Sequence, residues 1–121
     1  MKRQLGIVLF VVFILSFHSA FAMSAMSGND LIDGMRSYLK AEKDYTKADY
    51  LLSGIYMGYV QGVAEATVPD YSLPSGVTPD DLYHIIANYL EKHPNKWNEP
   101  AANLVRSSLL EAFPKYLIRN K

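Results

Sequence analysis

Gly54, Gly58, Gly62 and Ala66 recur at a spacing of four within the segment Leu51–Ala66. On an α-helix, residues four apart stack on one side, so the row leaves a strip almost free of side chains, against which another backbone can press. Each interior glycine costs about 0.5–1 kcal/mol relative to alanine, so three in one helix need a packing reason. The neighbouring rows Leu51, Ile55, Tyr59, Val63 and Leu52, Tyr56, Val60, Ala64 are apolar, and only Ser53, Met57, Gln61, Glu65 lean polar. A surface helix shows a single apolar stripe. This pattern therefore predicts a central helix covered on most sides, with Gly54, Gly58, Gly62 and Ala66 as structural contact positions. Whether the strip meets another helix of the same chain or a second copy stays open at this level.

The first 22 residues carry the three parts of a secretory signal: Lys2 and Arg3, the apolar-rich stretch Leu5 to Phe17, and the small-x-small site Ala20-Phe21-Ala22. That apolar stretch is shorter than the roughly 20 residues a spanning helix needs, and Ser16, His18 and Ser19 lie at its end. Cleavage after Ala22 is expected, giving a periplasmic or secreted product with no stable membrane anchor. Without Lys2 and Arg3, the twelve basic residues fall to ten against twelve acidic, a formal charge of about −2 that invites no nucleic acid. The remaining 99 residues suit one domain with one core. The chain has no cysteine, which excludes thiol catalysis and disulfides and removes most zinc geometries.

Residues 23–28 are small and polar and read as a flexible leader to a single helical domain, residues 29–121. Asn29 is the expected N-cap of a first helix, with Leu31, Met35, Tyr38 and Leu39 on its buried side. Lys40 to Asp49 is charged and reads as a loop or frayed extension, after which the central helix starts near Ala48. Thr67 to Val77, with Pro69, Pro74 and Gly76, is a connection too rich in breakers to be helical. Thr78-Pro79-Asp80-Asp81 opens a third helix, and Leu82, Ile85, Ile86, Tyr89 and Leu90 mark its apolar face before His93-Pro94 ends it. Asn98 is the expected cap of a fourth helix, with Pro100 in its first turn, Ala102, Val105, Leu109 and Phe113 inward, and a short tail at Tyr116 to Ile118. The fold class is all-α, about four helices around the glycine-rich one.

A catalytic or metal site does not assemble from spacing alone. His84 and His93 cannot form an H-E-x-x-H pair. His84 falls off the apolar stripe and reads as solvated, while His93 suits the negative end of its helix. Asp80 and Asp81 diverge by about 100° around a helix and already have a capping explanation. No serine has a nucleophile-elbow setting, and no glycine run cradles phosphate. The expectation is a protein without catalysis, cofactor or metal.

Binding is better represented. Nine tyrosines and Trp97 are a heavy load for a chain of this size, and tyrosine supplies apolar area with a hydrogen-bonding tip. Tyr38, Tyr59 and Tyr89 fall on buried stripes; Tyr45, Tyr50, Tyr71 and Tyr83 read as freer. Tyr71, Ser72, Leu73, Pro74 and Ser75 form the candidate partner-binding loop, because a proline-limited loop loses less entropy on docking.

Gly28-Asn29-Asp30-Leu31, Gly58-Tyr59-Val60-Gln61-Gly62-Val63-Ala64-Glu65-Ala66, Leu73-Pro74-Ser75-Gly76-Val77-Thr78, Tyr89-Leu90-Glu91-Lys92-His93-Pro94 and Glu111-Ala112-Phe113-Pro114, in this order, resemble the Rap/Tai immunity-protein family. The resemblance implies an exported, all-helical bacterial protein of the periplasm that neutralises a cell-wall amidase toxin delivered by type VI secretion, often as a homodimer. One departure is plain: the family usually carries cysteines near the positions held here by Met35, Tyr56, Ser72 and Lys115. Packing must then replace about 2–4 kcal/mol per lost bridge. An alternative function from another class is an acid-stress holdase, opened as carboxylates protonate in a chain of near-zero net charge without disulfides.

Overall fold

The computed structural model describes residues 1–2 and 25–115. The expected signal segment, apart from its first two residues, and the tail at Tyr116 to Ile118 lie outside the described residues. Within residues 25–115 there are four α-helices, α1 (Gly28–Lys43), α2 (Tyr50–Thr67), α3 (Pro79–Lys92) and α4 (Ala101–Ala112), joined by short 3₁₀ turns at Tyr45–Lys47, Val68–Asp70 and Pro94–Lys96. Among the described residues, no helix is long and apolar enough to cross a membrane.

Each helix start follows from local chemistry. Ser27, not Asn29, caps α1, because Asp30 three residues on can answer it: Ser27 Oγ accepts from the Asp30 amide at 3.2 Å and the Asp30 carboxylate accepts from the Ser27 amide at 3.0 Å. Asp49 caps α2 by accepting from the Leu52 amide. At α3 the expected start holds, with Pro79 in the first turn and a reciprocal box between Thr78 and Asp81. The helix ends where His93 precedes Pro94, and His93 Nδ1 lies 2.8 Å from the Tyr89 carbonyl oxygen.

Two expectations need correction. Asn98 does not cap α4; Pro100 occupies that position, and the first free amide, of Ala101, donates to the Met26 carbonyl at 3.0 Å. The Gly28 amide donates to the Glu99 carbonyl, and Ser27 pairs with Pro100 as an isolated bridge. Met26 to Gly28 is thus tied to the start of α4 instead of trailing as a leader, since each backbone segment satisfies the other's open groups. The charged Lys40–Lys43 segment continues α1, where lysines suit the negative end of the helix.

The core joins Leu31, Ile32, Met35 and Tyr38 of α1, Tyr56, Val60 and Ala64 of α2, Ile86 and Leu90 of α3, and Leu104, Val105 and Leu109 of α4. α1 and α2 form the most extensive pair, and α2 touches each of the other three helices. Close approach between α1 and α2 comes from Gly34. A Cβ there would lie 2.9 Å from Tyr56 Cβ and 3.1 Å from the Leu52 carbonyl oxygen. Ser37 reinforces the crossing, its hydroxyl donating to the Asp49 carbonyl at 2.8 Å and accepting from the Asp49 amide at 2.9 Å.

Candidate functional site

The glycine row has the opposite setting to Gly34. A Cβ built on Gly54, Gly58 or Gly62 meets nothing within 4 Å, and all three residues, with Ala66, are exposed. Among the described residues, no other helix lies on the strip. Only one stripe of α2 is fully buried, Ser53, Tyr56, Val60 and Ala64, so the expectation of a helix covered on most sides does not hold. The cause is simple: apolar rows record a tendency to be buried, while the partners present cover one side. What remains in solvent is unusual. Leu51 is 73% exposed, Tyr50 62% and Ile55 41%, and Glu65 is the only charged residue between Tyr50 and Thr67. A bare, neutral strip flanked by exposed apolar side chains has the composition of an association surface.

The loop after α2 continues this surface. Ser72, Leu73, Pro74 and Ser75 are exposed, with Leu73 at 40%. Gln61, Glu65, Val68, Leu73, Val77 and Pro79 help to line a shallow hollow of about 140 Å³ between loop, α2 and α3. Tyr71 departs from the other four loop residues: it is buried, its ring lies 6.5 Å from that of Phe113, and its hydroxyl donates to the Ala64 carbonyl. Tyr71 anchors the loop from below. Further ties hold it to α4 and the residues just after it: the Ser72 amide to the Phe113 carbonyl at 3.2 Å, Arg106 Nε to Asp70 Oδ2 at 2.8 Å and Lys115 Nζ to the Pro69 carbonyl at 2.9 Å. Ser72 and Lys115, two of the positions where the family usually has cysteines, thus belong to segments joined by noncovalent bonds. Tyr83, also read as free, is buried, while Tyr45 and Tyr50 are exposed as expected.

A second constellation was missed by sequence reasoning. Tyr38 and Glu42 of α1 meet Asp80 and His84 of α3. The Tyr38 hydroxyl lies 2.8 Å from Asp80 Oδ1, 3.2 Å from Glu42 Oε1 and 3.3 Å from His84 Nε2. His84 Nε2 lies 2.9 Å from Glu42 Oε1 and 3.8 Å from Asp80 Oδ2. His84 is therefore not simply solvated, and Asp80 bonds across to α1 while its neighbour Asp81 caps. Burial, the hydrogen bond to Asp80 and the negative charge of Glu42 push the Tyr38 phenol well above its ordinary pKa, so it stays a donor. The i, i+4 spacing of Asp80 and His84 is visible in the sequence; Glu42, 38 residues before Asp80, carries no local signal.

In comparison with family models, residues 27–114 match the one described as Rap1a immunity proteins. This chain belongs to the Rap1a immunity protein family. No curated protein and no solved structure gives a match. Rap1a membership makes it an immunity protein directed against a secreted effector, working by binding a toxin. The ordered motifs of the sequence all fall inside the matched span or begin within it. For a Rap1a immunity protein the two features of first interest are accordingly the open face of α2 and the exposed part of its following loop.

Proposed function

We propose that this Rap1a protein is a periplasmic, non-catalytic immunity protein that binds and inhibits a peptidoglycan amidase effector delivered by type VI secretion. The observation that carries the reading is the sparsely charged surface of α2, where Glu65 is the one charged side chain, together with the exposed Ser72–Ser75 loop, open to solvent in a family whose business is toxin binding. Export is supported by Lys2-Arg3, the apolar stretch and the Ala20-Phe21-Ala22 site.

The two halves of the surface have separate roles. The glycine face of α2 pairs with α2 of a second copy, because a strip without side chains lets two like backbones approach closely and a face whose one charge is Glu65, near its C-terminal end, carries little self-repulsion. The loop, held rigid from below by Tyr71, presents Leu73 and Pro74 to the toxin at low entropic cost.

The test is affinity capture from periplasmic and secreted fractions on the immobilised protein, followed by a peptidoglycan-hydrolysis assay of the retained material. A retained protein that cleaves peptidoglycan when eluted and is silent while bound is the expected result. Retention without any peptidoglycan-cleaving activity would contradict the reading.

A further inference from the structure

We infer that Glu42, Asp80 and His84 form a site for one divalent transition-metal ion of the Zn²⁺ type, tying the end of α1 to the first turns of α3. Their donor atoms all lie within 4.8 Å of one another. Four-coordinate zinc holds nitrogen and oxygen donors at about 2.0–2.2 Å, which sets neighbouring donors about 3.3 Å apart in a tetrahedron. The His84 Nε2 separations of 2.9 Å to Glu42 and 3.8 Å to Asp80 bracket that value, and with the two carboxylates within 4.8 Å of each other, rotation of these exposed side chains completes the set.

Proton supply points the same way. The Tyr38 hydroxyl carries one proton and the Nε2 edge of His84 at most one, while Glu42 Oε1, Asp80 Oδ1 and Asp80 Oδ2 all converge there. Two carboxylates facing one another with so few donors leave an excess of acceptors, which a dication neutralises. One imidazole with two carboxylates favours Zn²⁺, Co²⁺ or Mn²⁺ over Mg²⁺ and Ca²⁺, which take all-oxygen sets. Tyr38, buried beneath the cluster, donates to a ligating carboxylate and fixes its orientation, the role that outer partners play at metal sites. All three ligand side chains are at least one-third exposed, so the ion has an entry path and a position for water. In a chain without cysteines, such an ion would link α1 to α3 where no covalent bond does.

The experiment is titration of untagged protein with Co²⁺ as a spectroscopic probe, with Zn²⁺ and Mg²⁺ as competitors, alongside thermal melts of the wild type in Zn²⁺ and in chelator. One equivalent of Co²⁺ with visible d–d bands is expected, displaced by Zn²⁺ and not by Mg²⁺, with a melting temperature that rises with free Zn²⁺. His84→Ala and Glu42→Gln should each weaken binding by at least the roughly 10–100-fold typical of losing even an outer partner, and Tyr38→Phe by about 10-fold, while His93→Ala leaves it unchanged. No saturable binding at micromolar metal together with an unmoved wild-type melt, or binding that survives both His84→Ala and Glu42→Gln, overturns the assignment.

Discussion

Gly34 lies directly against Tyr56, so close that a Cβ on the glycine would sit 2.9 Å from Tyr56 Cβ. Helical glycines thus have two settings: Gly34 of α1 lets two helices meet, whereas Gly54, Gly58 and Gly62 of α2 meet nothing among the described residues. Urea unfolding separates them. Gly34→Ala should destabilise by about 1–3 kcal/mol through overpacking. In protein dilute enough to be unpaired, Gly58→Ala should stabilise by about 0.5–1 kcal/mol, because helix propensity improves and no atom of the described residues is in the way. Equal effects at both positions would contradict this placement.

The face that gains from alanine should lose from bulk. Gly58→Arg is expected to keep the helical circular-dichroism signal and the melting temperature within a few degrees, while shifting sedimentation from dimer to monomer. A wild type that sediments as a monomer at all concentrations would rule out pairing through α2.

Two buried hydroxyls make a matched pair. Tyr56, fully buried, donates to the Tyr83 carbonyl at 2.7 Å; Ser108 Oγ is buried with no partner among the described residues. Tyr56→Phe should cost about 1 kcal/mol, whereas Ser108→Ala should be neutral or stabilising by up to about 1 kcal/mol, because it removes an unmet polar group. Denaturant midpoints at constant m-value read both.

Acid stability should depend on the helix caps. The Ser27 hydroxyl, and then its amide, hold the Asp30 carboxyl below its ordinary value; the Thr78 amide, and then its hydroxyl, do so for Asp81. A carboxyl with a depressed folded pKa contributes fully above its unfolded value, about 3.8, and that contribution is lost as pH falls through the folded value. Melting temperature should therefore fall more steeply below about pH 4, and the Asp30→Asn, Asp81→Asn double variant should show a shallower acid limb. An acid limb unchanged in the double variant would assign acid sensitivity elsewhere.

Much of the architecture was legible because the relevant forces are local. Thr78-Pro79-Asp80-Asp81 names a helix start in four residues, and His93-Pro94 names its end. What failed did so for a common reason. Ser27 outcompetes Asn29 as a cap only because Asp30 stands at the right distance, and Pro100 replaces Asn98 because Met26, far along the chain, supplies the missing carbonyl. The apolar rows of α2 told that it wants covering, not that the described residues cover only one side. Tyr71 looked available because its loop is polar and proline-bounded, yet the Ala64 carbonyl and Phe113 hold it inside. The Tyr38, Glu42, Asp80, His84 cluster needs α1 and α3 to be side by side, which no periodicity reports.

The most direct test of toxin inhibition is the rate of peptidoglycan digestion by the captured amidase, with wild-type protein and with Leu73→Glu added in increasing amounts. Digestion should stop near one wild-type site per enzyme and continue with Leu73→Glu, a change on an exposed side chain that leaves the core intact. An unchanged rate in excess wild-type protein would contradict the immunity function proposed for this chain.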